Sequence, residues 1–170
     1  MSSANALEEF AEQIEFRLAE NTPRIAKCLA ELSEAEVWQR PNTSSNSVGN
    51  LILHLCGNIT QYIHSSLGQQ ADIRQRDAEF SARASHSKQE LLELLEQTVA
   101  TALGVIRQTT AEEWLRPRQV QGFTLSGIGI AIHVAEHYSY HTGQIAFWTK
   151  LLKDKDLGFY GDTDLNVLNV

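Results

Sequence analysis

The sequence predicts an all-α fold, a four-helix bundle with one long crossover. Three observations carry that expectation. Apolar residues recur at helical steps of three, four and seven along nearly the whole chain. Serines followed three residues later by glutamate stand at the head of periodic stretches, the pattern of a capping box. No stretch alternates apolar and polar residues as a half-buried strand does, and no strand is expected.

The first helix, over 4–32, carries Leu7, Phe10, Ile14, Leu18, Ile25, Leu29 and Leu32. Pro23 lies inside it and is expected to kink it or split it in two, because proline lacks the backbone donor. Ser33, with Glu36 completing a capping box, opens one further turn through Trp38. The polar stretch RPNTSSNS follows. Ser47 or Asn46 then caps a second helix, 47 to about 67, with Val48, Leu51, Leu55, Ile59, Tyr62 and Ile63 on its apolar side. A long irregular crossover, GQQADIRQRDAEFSARASH, leads to Ser87, which with Glu90 opens a third helix through Gln108. Its apolar set is Leu91, Leu92, Leu94, Leu95, Val99, Leu103 and Ile106. RPRQVQGFT reads as a loop, and the fourth helix runs from about Leu125 to Lys153. The tail DLGFYGDTDLNVLNV has no period and is expected to pack across one end of the bundle. Four long helices, short connections and one long crossover are the connectivity of a four-helix bundle.

The 170 residues fit a single domain, 1–170. Hydrophobic residues at 42% and charged residues at 21% suit a globular chain that buries its own core. A net charge of -7 and scattered lysines and arginines exclude the clustered basic surface that nucleic acid requires. No apolar run reaches the roughly 18 residues of a membrane span. The N-terminal MSSANALEEFAEQ lacks a basic stretch followed by an apolar one, so a cytoplasmic protein is expected. Cys28 and Cys56 sit in apolar helical patterns and read as free buried thiols.

One echo runs through the chain. EVWQRP at 36–41 and EEWLRP at 112–117 share Trp-x-Arg-Pro. Each is followed by a polar loop, a glycine-containing apolar helix start and then a histidine, His54 and His133. Two helix pairs related by a rough twofold would set these histidines at similar heights.

Three of the six histidines fall in HVAEHYSYHTGQ. His133, His137 and His141 are one turn apart and, at about 100° per residue, share a face with Ile130, Val134, Gln144, Ile145 and Trp148. Ser139, Thr142, Thr149, Lys150 and Lys153 are expected on the opposite side, so the histidines should point inward. At this histidine content such a triplet arises by chance in under about one sequence in a hundred. His54 lies in the apolar run LILHLCGNITQYI, on a face with Leu51, Asn58, Gln61 and Tyr62. A single histidine on an apolar face is commonly a hydrogen-bonded core residue. Several converging imidazoles have a common solution in a shared divalent cation, each ring offering a neutral nitrogen. Three imidazoles plus an open position is the pattern of a catalytic metal site. His64 and His86 read as solvated.

His54 within GNLILHLCGN, together with HVAEHYSYHTGQI, resembles the DinB/YfiT-like superfamily of metalloenzymes. The resemblance runs from Trp38 to about Leu152, and its most specific part is His-x-x-x-His-x-Gly-Gln. It implies a four-helix bundle, often a homodimer, with a metal triad at His54, His137 and His141. His133 and Gln144 would stand behind those ligands, His133 bonded to a ligand or a tyrosine. Gly143 would permit close helix approach, and Asn58, Gln61 and Tyr62 would line a substrate pocket. Three histidines suit zinc, nickel, cobalt, iron or copper, with zinc or nickel foremost. Some relatives attach a small thiol such as bacillithiol, mycothiol or glutathione to an electrophile, and metal binding would favour the attacking thiolate. The same centre could activate water for hydrolysis. Tyr138 stands where the zinc proteases' His-Glu-x-x-His carries its glutamate, which argues against a peptidase. Three readings follow: a metal-dependent thiol transferase or hydrolase acting on a small molecule, a non-catalytic metal-binding bundle, and a structural dimeric bundle.

Overall fold

A computed structural model describes residues 3–161 and 163–168. The four long rods are α1 (Ser3–Glu31), α3 (Val48–Ile59, continued by a π-helical segment, Thr60–Leu67), α5 (Lys88–Gln108) and α7 (Gly127–Lys153). Between them lie three short helices, α2 (Glu34–Trp38), α4 (Arg76–Ser81) and α6 (Ala111–Leu115). α1 packs on α5 and α7, and α3 packs on α5 and α7, so the rods close around one seam. Leu18 and Ile25 of α1, Ile52 and Leu55 of α3, Leu91 and Leu95 of α5, and Ile130 and Tyr138 of α7 are fully buried there. This is the all-α four-helix bundle that the sequence predicts.

The caps set the starts. Ser33, Ser47 and Ser87 each accept from the backbone N–H three residues on, and the side chains of Glu36, Asn50 and Glu90 complete capping boxes. Ser126 caps α7 in the same way through Gly129 N–H. α7 ends where Asp154 turns left-handed at φ 47°. Both cysteines are free and buried. The tail lies against α1, with Leu157 buried and Lys27 donating to the Gly158 carbonyl at 3.2 Å.

Of the two outcomes expected at Pro23, the split does not occur, and α1 is one helix. The structure departs from expectation in three other places. RPRQVQGFT is not a loop but an antiparallel hairpin, β1 (Arg118–Val120) and β2 (Phe123–Leu125). Gln121 and Gly122, at φ 50° and 81°, make its tight turn, and three-residue strands are too short to show alternation. The crossover is not wholly irregular, since α4 sits within it and packs on α3. On α7, Thr142 and Thr149 are buried, while Gln144 is exposed. The threonine hydroxyls reach the carbonyls of Tyr138 and Ile145, both at 2.8 Å, which lets polar side chains join the seam.

The tryptophan echo has a structural counterpart. The Trp38 ring lies flat on Gly49 at the head of α3, where a Cβ would come within 2.9 Å of it. A Cβ on Gly127, at the head of α7, would meet the α6 backbone at Trp114 at the same 2.9 Å. Each short helix thus seats the start of a histidine-bearing rod, and the histidines of α3 and α7 come out level.

Candidate metal centre

α3, which carries His54, and α7, which carries His133, His137 and His141, bring four imidazoles together. The ligand nitrogens of His54, His137 and His141 all lie within 4.8 Å of one another. His54 Nε2 and His137 Nε2 are 2.9 Å apart. Two ligands at about 2.0–2.1 Å from one ion, seen at 90–110°, stand about 2.9–3.4 Å apart, so the pair is already at coordination spacing. The ring centroids of His137 and His141 are 4.5 Å apart and nearly perpendicular, as rings are when they turn edges rather than faces toward a common point.

The far side of each ring decides which nitrogen is offered. His54 Nδ1 lies 3.0 Å from Glu79 Oε2. Glu79 is held below the usual carboxylate range: burial works to raise it, but the hydrogen bonds from Arg74 and His54 prevail. Arg74 Nη2 also lies 3.1 Å from His54 Nδ1, but it has Glu79 Oε2 as a closer acceptor at 2.9 Å; an ionised carboxylate only accepts, so His54 donates from Nδ1 to Glu79 and presents the lone pair of Nε2. Arg74 grips the same carboxylate with Nε at 2.7 Å from Oε1 and Nη2 at 2.9 Å from Oε2. Arg74, Glu79 and His54 are all well buried, with side-chain exposures of 3%, 10% and 7%. His141 Nδ1 donates to Gln144 Oε1 at 2.7 Å, which leaves its Nε2 free in the same way.

The three imidazoles of α7 are held toward the neutral form. Burial, with the neighbouring histidines, drives His137 from near 6.5 down to about 3. Burial also lowers His141 and His133. Neutral rings with lone pairs aimed at one point are what a borderline-soft divalent cation requires, and the residues present fit such an ion.

His133 is half-buried and does not touch the cluster through a hydrogen bond, and it meets no tyrosine hydroxyl. Its Nε2 faces Asn58 Nδ2 at 3.3 Å, and its ring stacks on Tyr62 at 4.2 Å and beside His137 at 5.4 Å. The rings sit face to face because one helical turn places them in parallel layers. The Tyr62 hydroxyl is engaged elsewhere, donating to Gln121 of the hairpin. Asn58 Nδ2 is thus engaged by His133, while its buried Oδ1 has no partner among the described residues; Tyr62 is engaged by the hairpin, and Gln61 by Arg74 and Asp72 at 2.9 and 2.7 Å. Gly143 is exposed, with nothing within 4 Å of where a Cβ would stand, so no helix approaches there. His64 is half-buried, not solvated, and bonds the Thr98 carbonyl at 3.0 Å. His86 is partly covered, and Trp38 donates to its carbonyl.

Glu79 and Arg74 are the residues the sequence reading missed. One local signal pointed to them. Gly57 interrupts the apolar run three residues after His54, and a Cβ there would collide with Glu79 Oε1. A glycine inside a helix marks a close approach, here of the crossover.

The sequence over residues 5–160 matches the family described as a protein of unknown function, DUF1572. The chain belongs to the DUF1572 family. Solved structures share the fold of this DUF1572 chain. A DinB-like protein from Bacillus subtilis superposes with a TM-score of 0.64 at 15% identity, over 82% of this chain and 91% of that one. A mycothiol-dependent maleylpyruvate isomerase superposes with the same TM-score of 0.64 at 17% identity, over 85% of this chain. The shared part spans 63% of the isomerase chain. A conserved protein from Enterococcus faecalis follows at a TM-score of 0.55 and 16% identity, over 91% and 99% of the two chains. At these identities the likeness is one of fold. No curated protein matches in sequence.

Proposed function

We propose that His54, His137 and His141 hold a divalent cation, zinc or nickel foremost, in an enzyme that transfers a low-molecular-weight thiol to a small electrophile. The observation that carries this is the 2.9 Å approach of two Nε2 atoms from separate rods, with the opposite nitrogens of His54 and His141 already committed to acceptors. When bound, the cation would supply Lewis acidity that favours the thiolate of a thiol at its open position. Glu79 and Gln144 keep the two rings in the binding tautomer, and His137 stays neutral at physiological pH because burial disfavours its charged form. A fold neighbour named for its dependence on mycothiol supports a thiol as the partner.

Hydrolysis by the same centre is the weaker reading. It calls for a general base, and both oxygens of the carboxylate at the centre, Glu79, are engaged by Arg74 and His54. A homodimer belongs to the same proposal. Phe16 of α1 and Ile132 of α7 are apolar side chains left 55% and 50% exposed on neighbouring rods, which supports such pairing. Among the described residues no helix is long and apolar enough to cross a membrane.

Elemental analysis of the purified protein should find about one equivalent of transition metal per chain, lost in His137→Ala. The same preparation should consume bacillithiol, mycothiol or glutathione in the presence of an electrophile, and His137→Ala should not. A chain that carries no stoichiometric metal, or a variant that retains full transfer, overturns the proposal. Stoichiometric metal without turnover assigns the centre to storage or sensing.

A further inference from the structure

A cavity of about 510 Å³ opens beside the histidine centre, between the loop after α2 and the last turns of α7. Its size suits a small organic molecule. His141 and Gln144 form one wall, so the cavity abuts the cluster at the ring of His141. Val48, Leu51, Phe147, Trp148 and Leu151 supply the apolar surface, two of them with flat aromatic rings. None of the described side chains that line it is charged, so a carboxylate or phosphate brought there finds no cationic side chain to replace its water.

Gln144 adds a directional element. Its Oε1 accepts from His141 Nδ1 at 2.7 Å, and this orientation is the one that leaves His141 Nε2 free. The amide Nε2 therefore turns away from His141, and among the described residues it donates to nothing. The side chain is exposed and lines the cavity, so two N–H donors are available beside the centre.

We propose that this cavity binds the electrophile, a neutral, flat, largely apolar molecule whose carbonyl-type oxygen accepts a hydrogen bond from Gln144 Nε2. The inference rests on the reading of the three histidines as a thiol-activating centre, for it names the second substrate of that site. Gln144 serves two purposes, holding His141 with its oxygen and fixing the electrophile with its nitrogen. Phe147 and Trp148 hold the ring.

The test is ligand binding, read by the indole N–H resonances of the zinc-treated protein, with the Trp148 signal assigned from Trp148→Phe. Acetophenone is the neutral probe and benzenesulfonate its anionic counterpart. Acetophenone should shift the Trp148 signal saturably, and benzenesulfonate should bind at least about tenfold more weakly. Phe147→Ala, at an exposed position, should weaken acetophenone by about tenfold. Gln144→Glu keeps an acceptor for His141 but lacks the donor; it should retain zinc and lose acetophenone by a similar factor. Equal binding of the two probes overturns the proposal, as does zinc loading without any shift at Trp148. So does conversion of a dimer to a monomer by Phe147→Ala with probe affinity unchanged, which would assign this face to a second copy. Acetophenone binding in protein that takes up no zinc counts against the metal centre alone and supports the cavity assignment.

Discussion

The Nδ1 proton of His54 is taken by a carboxylate brought in by the crossover, whereas that of His141 is taken by an amide three residues along the same helix. The first arrangement is buried, charged and long-range: Glu79 is 25 residues from His54 and is clamped by Arg74. The second is neutral and local, and Gln144 is open to solvent. A buried acceptor has no substitute if it is removed, whereas water can replace an exposed one. The two rings therefore depend on their holders to different degrees, although both holders do the same geometric job.

The largest effect should come from breaking the buried arm. Glu79→Ala leaves Arg74 as an unpaired buried cation beside His54 and removes the acceptor that sets its tautomer. Loss of such an orienting partner costs about 10- to 100-fold in metal affinity. Gly57→Ala should act similarly without touching a charged residue, because the new Cβ takes the space of Glu79 Oε1. Competition titration against a chromophoric chelator measures both. An affinity within about twofold of the parent protein for both variants would show that the crossover does not position the ring.

The comparison also marks what could be read from the chain. The bundle, its serine caps and the histidine row were legible because each depends on residues three to eight apart. Gln144 was legible as a residue that orients a histidine for the same reason, and it bonds His141. The face of α7 was read less well: its seam runs through Tyr138, Thr142 and Thr149, and the histidines lie along its edge. Threonine looks polar in a pattern, but satisfies its hydroxyl on its own helix once buried. The hairpin was hidden because three-residue strands carry no period. Arg74 and Glu79 were hidden because the crossover has no periodicity to give it a face, and the contact that recruits them is long-range.

Acid should separate His137 from the buried arm by their windows. His137 titrates at about 3 in the folded chain against about 6.5 when unfolded, so below pH 6.5 the unfolded chain binds the extra proton. Stability of the metal-free protein should fall as pH drops through that window, by at most ~1.4 kcal/mol per pH unit from this one group. Glu79 is depressed instead from the carboxylate range, so its contribution holds above about 4.5 and is lost only as pH falls through its lowered folded value. Urea midpoints across pH should therefore show a decline beginning near 6.5 in both the parent and Glu79→Gln. The further, more acidic limb should be steeper in the parent than in Glu79→Gln, which keeps only the other depressed carboxylates such as Glu36. A parent curve flat from pH 7 to 5 would contradict the burial of His137.

The smallest effect should come from the open arm. Gln144→Ala removes the acceptor at His141 Nδ1, but it also opens that nitrogen to solvent. A water molecule can accept the same hydrogen bond at little net cost, so the tautomer survives and only the rotational restraint on the ring is weakened. Metal affinity should fall by about two- to fivefold, well short of the loss in Glu79→Ala. The double variant should lose close to the product of the two factors, because the holders act on different rings and share no atom. A loss in Gln144→Ala as large as in Glu79→Ala would mean that solvent does not reach His141, and the contrast between a buried and an open holder would fail at its open end.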